Sequence, residues 1–220
     1  MRPNPRKGKC ISGRKVHKPK AWSKDLIHVL SHLMFDGSVE RCGCTYYNSS
    51  QESIKHMRKL LEEVFGVKAR QRIKDNGVHV LSAYYVELAD YVRNTEEKLL
   101  KHIKNDASLE EKRIFLKAFF DDEGSVYFKE GKRRIRGSQD SLPVLSMIKG
   151  LLTGFGISAR IDNAAKAIEI SGKSNLVNFE KQINFSEGLF INSLRKNSIW
   201  KKKLEKREIL TEAMNSYARS

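Results

Sequence analysis

The sequence predicts an α+β fold built from two copies of one unit, each reading helix, hairpin, helix, hairpin, helix. Three observations predict it. Two helix-like runs end in nearly the same words, MFDGSV at 34–39 and DDEGSV at 121–126. Further along, FGVKAR at 65–70 is echoed by FGISAR at 155–160. Each echo then leads into a strand-like run, VHVLS at 78–82 and IEIS at 168–171. Self-similarity of this kind decides the architecture before any single element does. Asp36 and Glu123 lie 87 residues apart and Phe65 and Phe155 lie 90 apart, so the second copy carries a net three-residue insertion. It falls in YFKEGKRRIRGS (127–138), where a glycine between two alternating runs marks a hairpin that can lengthen at its tip.

Taken in order, the first twenty residues hold eight Lys or Arg and no acid, and read as a flexible basic arm over 1–21. The first unit is expected over 22–107. Ser23 can cap a helix whose apolar residues Leu26, Val29, Leu30 and Leu33 share one face, and Gly37 ends it. The second unit is expected over 108–220. It opens on a capping box, Ser108 with Glu111, continues through Leu109, Phe115, Leu116, Phe119 and Phe120, and stops at Gly124. The terminal run IWKKKLEKREILTEAM reads as an amphipathic helix packed through Trp200, Leu204, Ile209 and Leu210. Two long units pair most naturally about a pseudo-twofold axis.

Composition narrows the function. The 220 residues are 40% hydrophobic and 31% charged, and 42 Lys+Arg against 26 Asp+Glu give a net charge of +16. Such a surface suits a polyanion, nucleic acid before a membrane surface. No apolar run approaches the ~20 residues of a bilayer span, and the first residues lack the apolar stretch of a secretory signal, so the expected place of work is a cell interior, a prokaryotic-type cytoplasm or an organelle. Cys10, Cys42 and Cys44 are too few and too oddly spaced for a disulfide framework. The CGC run has no second ligand pair for structural zinc, which leaves reduced thiols as the expectation.

The acids then stand out. A helix C-terminus already carries partial negative charge, yet α-helical runs here end in Asp36 and in Asp121, Asp122 and Glu123. If the two glycine-terminated helices lie on the axis, Asp36 and Glu123 meet at their ends, and two carboxylates held together invite a hard cation. Oxygen ligands favour Mg²⁺, with Mn²⁺ or Ca²⁺ as substitutes; the carbonyls of Phe35 and Asp122 can complete the donor set. With a nucleic-acid diester as substrate, the chemistry expected is metal-assisted hydrolysis. No Ser-His-Asp, GxxxxGK[ST] or HExxH pattern points elsewhere.

These residues resemble the LAGLIDADG homing endonucleases in their single-chain, two-motif form. LKAFFDDEG (116–124) and VLSHLMFDG (29–37) align with the nine-letter motif, Glu123 and Asp36 falling at its catalytic acid and Gly124 and Gly37 at its end. Met34 replaces the family's first acid, while Ser31 and Ala118 keep a small residue where its helices cross. The resemblance implies two four-stranded antiparallel sheets that form a saddle on double-stranded DNA and read a long asymmetric site in the major groove. It implies metal binding at Asp36 and Glu123, a staggered double-strand cut, a monomer, and basic or amide side chains that organise water near the metals. Gln51, Gln139 and Lys196 are the candidates for that last role, with Arg195 beside Lys196. For DNA contact the strands and their flanks offer Arg41, Tyr46, Asn48, Lys68, Arg70, Arg72 and Lys74 in the first copy. The second copy offers Lys129, Lys132, Arg133, Arg134, Arg136, Gln139 and Arg160, with Arg195 further on. Competing readings are an RNA maturase assisting an intron, with intron RNA as partner, and a DNA-binding regulator without catalysis. A ribosome-associated basic protein would leave the paired acids unexplained.

Overall fold

The computed structural model describes residues 15–129, 131–191, 200 and 202–218. The first unit runs α1 (Lys24–Asp36), β1 (Gly37–Glu40), β2 (Gly43–Asn48), α2 (Gln51–Phe65), β3 (Arg70–Ile73), β4 (His79–Ala83) and α3 (Val86–Asn105). The second repeats the order: α4 (Leu109–Glu123), β5 (Gly124–Lys129), β6 (Lys132–Ser138), α5 (Leu142–Thr153), β7 (Ala159–Asp162), β8 (Ala167–Ser171) and α6 (Lys173–Gln182). A further helix, α7 (Lys206–Asn215), follows. Each unit joins its two hairpins into a four-stranded antiparallel sheet, in the order β1-β2-β4-β3 and β5-β6-β8-β7.

Local chemistry explains where the elements start and stop. Ser23, Ser50, Ser108 and Ser141 each accept a backbone N–H of the helix they cap, and Ser108 and Glu111 form the expected reciprocal box. The FG echo has a conformational cause: Gly66 and Gly156 take positive φ values of 67° and 66°, which a side chain disfavours, and swing the chain from α2 and α5 toward the next strand. Phe65 and Phe155 before them, and Val67 and Ile157 after them, are buried.

Strand register resolves the insertion. Gly37 faces Tyr46, and Tyr46 faces Leu81; in the second unit Gly124 faces Gly137, and Gly137 faces Ile168. From these matched positions β1 and β2 run to a tip at Glu40 and Gly43, whereas β5 and β6 run two residues further each, to Lys129 and Lys132. The hairpin thus gains more than the net three residues, and the segment after it is shorter in the second unit.

Helices α1 and α4 pack along each other between the two units. Ser31 and Ala118 are fully buried on these helices, at matching places in the two motifs, and their small side chains admit close approach. Each helix passes directly into a strand. A Cβ on Gly37 would overlap the carbonyl of Leu33, and one on Gly124 that of Phe120, so these glycines are required by space and not by φ.

Three expectations change. Residues 16–19, assigned to a flexible arm, are docked: Val16 is buried, the His17 N–H donates to the Phe65 carbonyl at 3.0 Å, and Tyr91 donates to the Pro19 carbonyl at 2.9 Å. Positions 1–14 of the arm lie outside the described residues. The C-terminal helix begins at Lys206, because Leu204 and Lys206 first exchange main-chain bonds with Ile191 and Leu189. Cys42, expected as a reduced thiol, is disulfide-bonded; Cys44 is free, and burial pushes its thiol up to about 12 although Arg93 opposes. No helix among the described residues is long and apolar enough to cross a membrane.

Candidate metal and nucleic-acid site

The three consecutive acids at the end of α4 point to three different places. Asp121 turns into its own unit, where it is 4% exposed and accepts the Ser186 N–H at 2.8 Å and the Ser186 hydroxyl at 2.6 Å. Its main-chain carbonyl, left over at the helix end, accepts from Lys206 Nζ at 2.8 Å. Asp122 turns the other way, into the first unit. Its carboxylate, with no exposed side-chain surface, lies 2.7 Å from His32 Nδ1 and accepts from the Tyr46 hydroxyl at 2.8 Å and from Asn48 Nδ2 at 3.4 Å. Glu123 turns to neither core. It lines an open cleft with Phe35, Ser138, Gln139, Asp140 and Lys166.

The matching position in α1 shows what Asp122 replaces. Phe35 sits at the equivalent place and inserts into the second unit, edge-on to Phe115 and Phe119 at centroid distances of 5.3 and 5.1 Å. Each helix end therefore plugs the other half, one with an aromatic ring and one with a carboxylate. The pockets match their plugs. His32 and Tyr46 in the first unit correspond to Phe119 and Gly137 in the second, and a Cβ on Gly137 would strike the Phe119 ring.

Asp36 and Glu123 close α1 and α4. Burial, and then the carboxylates of Asp122 and Glu123, push the Asp36 carboxyl up to about 7; His32 and Lys206 pull the other way without cancelling this. His32 is raised: burial disfavours its charge, but Asp122, helped by Asp121 and Asp36, outweighs burial. Asp36 is thus a carboxylate short of positive charge, beside a second one. That is the electrostatic state a cation would relieve, and the donors present are hard oxygens. Among the described residues no group of three or more His, Cys, Asp or Glu is arranged to hold a metal. The donors that would hold one are the two carboxylates and the carbonyls of Phe35 and Asp122, with other positions left to water and substrate phosphate, as Mg²⁺ prefers.

The remaining sequence-derived candidates divide. Gln139 shares the cleft with Glu123, and its Oε1 accepts the Ser141 N–H at 3.2 Å. Its counterpart by register is Asn48 and not Gln51, since Asn48 Oδ1 accepts the Ser50 N–H at 2.8 Å in the same i to i+2 pattern. Gln51 begins α2 as an exposed residue. Lys196 and Arg195 lie outside the described residues.

Alternation along the strands sorts the DNA candidates. Tyr46 and Asn48, expected to touch DNA, are 1% and 6% exposed on the helix side of their sheet and are engaged with Asp122. Arg133 also lies on the helix side. Its guanidinium donates to the Ser216 hydroxyl at 2.6 Å and stands 4.2 Å over the Tyr217 ring, tying β6 to the end of α7. On the opposite faces are Arg70 and Arg72 of β3, Lys129 and Lys132 at the β5–β6 tip, and Arg134, Arg136 and Arg160. Arg41 is exposed on the β1–β2 turn and Lys68 in the segment before β3, and Lys74 Nζ stands 4.5 Å over the Tyr47 ring. Sequence reasoning missed Lys206 and Glu169. Glu169 is a carboxylate 7% exposed among the arginines of the second sheet.

Comparison with known proteins agrees with this geometry. A family described as LAGLIDADG-like domain matches residues 110–184, within the second unit. No curated protein sequence matches the chain. The fold resembles that of I-DmoI solved with DNA and Mn, at 19% identity and a TM-score of 0.55, covering 74% of this chain and 98% of that one. It equally resembles the N-terminal LAGLIDADG domain of DUF199/WhiA, at 14% identity and a TM-score of 0.56, covering 77% and 87%. Full-length DUF199/WhiA from Thermatoga maritima matches at 12% identity and a TM-score of 0.54, covering 91% of this chain and 69% of that one. At such identities the likeness is one of fold.

Proposed function

We propose that this two-motif LAGLIDADG protein is a site-specific DNA endonuclease, working as a monomer inside the cell, that makes a staggered double-strand cut by Mg²⁺-assisted phosphodiester hydrolysis. The observation that carries the reading is the pair Asp36 and Glu123, brought to the abutting ends of α1 and α4, with Asp36 raised to about 7 by burial and its acidic neighbours. Around Asp36 the carboxylates of Asp122 and Glu123 outweigh the positive charge of His32 and Lys206, so its surroundings stay acid-rich. A divalent cation there would polarise the scissile phosphate and lower the pKa of the attacking water.

The chain's own residues supply the rest. Asp36 and Glu123 would hold the cation, and the Asp122 lock and the Phe35 plug fix their separation by fixing the two helix ends. Gln139, anchored through Oε1 to Ser141, keeps its amide N–H groups to orient water in the cleft beside Glu123. The sheet faces turned away from the helices carry the cations that follow phosphate and read base edges.

I-DmoI, a homing endonuclease solved with DNA and with Mn or Ca, supports the reading by likeness of fold. Fold does not fix chemistry, however, and a binder on the same scaffold, regulator or maturase, is the rival. The test is incubation of the full chain with a plasmid library of randomised inserts, with Mg²⁺, Mn²⁺ or Ca²⁺ or with EDTA. Site-specific cuts that need Mg²⁺ or Mn²⁺ support the enzyme. Retention of DNA or intron RNA with no cut under any divalent metal would leave the binder.

A further inference from the structure

We propose that Glu169 is a positioning residue that locks three arginines of the second sheet into one rigid array for reading base edges, and so sets the sequence discrimination of that half of the site. The inference rests on the DNA-binding reading above. Glu169 lies in β8 on the sheet face turned from the helices, directly across from Arg136 of β6 and Arg160 of β7. Its carboxylate is 2.7 Å from Arg160, 3.2 Å from Arg134 and 3.8 Å from Arg136. Arg134 is held twice, since its guanidinium also stacks 4.7 Å over the Tyr127 ring; its Nε has no partner among the described residues.

For phosphate affinity alone, a carboxylate in this place is a defect: it removes net positive charge and repels the backbone. What it supplies is geometry. A flexible arginine must be ordered on binding, whereas one already paired to a fixed acceptor keeps its other N–H donors aimed in set directions, as bidentate recognition of guanine O6 and N7 requires. The first unit serves as an internal contrast. Register places Ser82 where the second unit has Glu169, with Arg70 opposite it and Thr45 where Arg136 stands. The second unit is therefore the stricter reader.

The experiment selects duplexes from a randomised library with the full chain in EDTA, then compares wild type, E169Q and E169D for affinity to the selected site, affinity to unrelated duplex, and thermal stability. The expected result is that E169Q binds unrelated duplex several-fold tighter while its preference for the selected site falls by about tenfold or more. The loss should map to the base pairs under one half of the site, and E169D should recover part of the preference. An unchanged preference in E169Q overturns the inference, as does a loss that merely tracks a fall in melting temperature. Wild type that binds duplex without any preference overturns the inference and leaves DNA binding standing; wild type that binds no duplex overturns both.

Discussion

The Tyr46 hydroxyl, in the second strand of the first unit, donates to the Asp122 carboxylate at 2.8 Å across the junction of the two units. With His32 and Asn48 it makes a fully buried polar socket for an acid that belongs to the other half of the molecule. Removing the acid leaves three buried polar groups without their acceptor. Asp122→Ala should destabilise the protein by about 3–5 kcal/mol, the range for breaking one side of a buried charged network, and Asp122→Asn by about 1–3 kcal/mol. Urea unfolding measures both; a cost under about 1 kcal/mol for the alanine variant would show the socket to be loosely packed or wet.

Asp36 should make the metal-free protein less stable as pH rises. Its carboxyl ionises near 3.8 when unfolded and at about 7 when folded, so the folded state holds the proton more tightly. The penalty is absent below about 4, grows through the window between the two values, and is complete above about 7. His28 and His56, both lowered chiefly by burial, act oppositely by losing stability as pH falls, so the sum alone is not diagnostic. The difference is: Asp36→Asn should melt higher than wild type at pH 8 in EDTA, the gap closing toward pH 5. Saturating Mg²⁺ should raise the melting temperature of wild type but not of the variant. Parallel melting curves across that pH range would place the Asp36 carboxylate in solvent.

Glu123→Gln should abolish cutting, by at least a hundredfold, and leave DNA affinity equal or slightly higher, since a negative charge is removed from the approach of phosphate. Single-turnover cleavage and a binding isotherm on the same duplex separate the two. Loss of binding along with cutting would mark Glu123 as structural.

Arg133 and Lys132 are neighbours with opposite roles. Arg133→Ala should lower stability by about 1–3 kcal/mol, since it unties β6 from Ser216 and Tyr217, and leave the salt dependence of DNA binding unchanged. Lys132→Ala should leave the melting temperature alone and reduce the slope of log K against log salt by about one. Salt titrations of the two variants decide it, and a reversed pattern would mean that the pleat of β6 is turned over.

Gly124→Ala should be poorly tolerated for want of space. The added methyl would overlap the Phe120 carbonyl at the point where α4 becomes β5, a cost of about 1–3 kcal/mol and a displaced Glu123. Reduced cleavage exceeding the loss of stability is the expected signature; a variant cutting at the wild-type rate would show that the helix end can shift freely.

Much of this was legible in the sequence because the repeat supplied two readings of every signal. Serine caps, the FG turns and the glycine-ended motif helices each appeared twice, and local chemistry of that kind is written in adjacent residues. The places of Asp36 and Glu123 at the ends of α1 and α4 were legible for the same reason. What failed were judgements about direction. Tyr46 and Asn48 looked like polar strand residues suited to DNA, but which face of β2 they occupy depends on register with β1 and β4, which no local signal states. Arg133 was lost among neighbouring arginines because a one-residue shift in a strand reverses its side. Gln51 was paired with Gln139 by identity, where the structure pairs Asn48 with it by position. Asp122 had no account at all, since its partners His32, Tyr46 and Asn48 lie 90, 76 and 74 residues earlier.

The exchange of Phe35 for Asp122 bears on how such a chain could change. Two first units brought together would bury a phenyl ring against His32, Tyr46 and Asn48 and strand their polar groups; two second units would drive a carboxylate against Phe115 and Phe119. Neither half can accept a copy of itself. A single substitution at either plug does not restore that option, because its socket has diverged too, so the route from this molecule back to a symmetric pair of identical units passes through variants that assemble less well than either end point. If the two units were expressed as separate fragments, the same mismatch would sort them, and the mixed pair would be the one that forms.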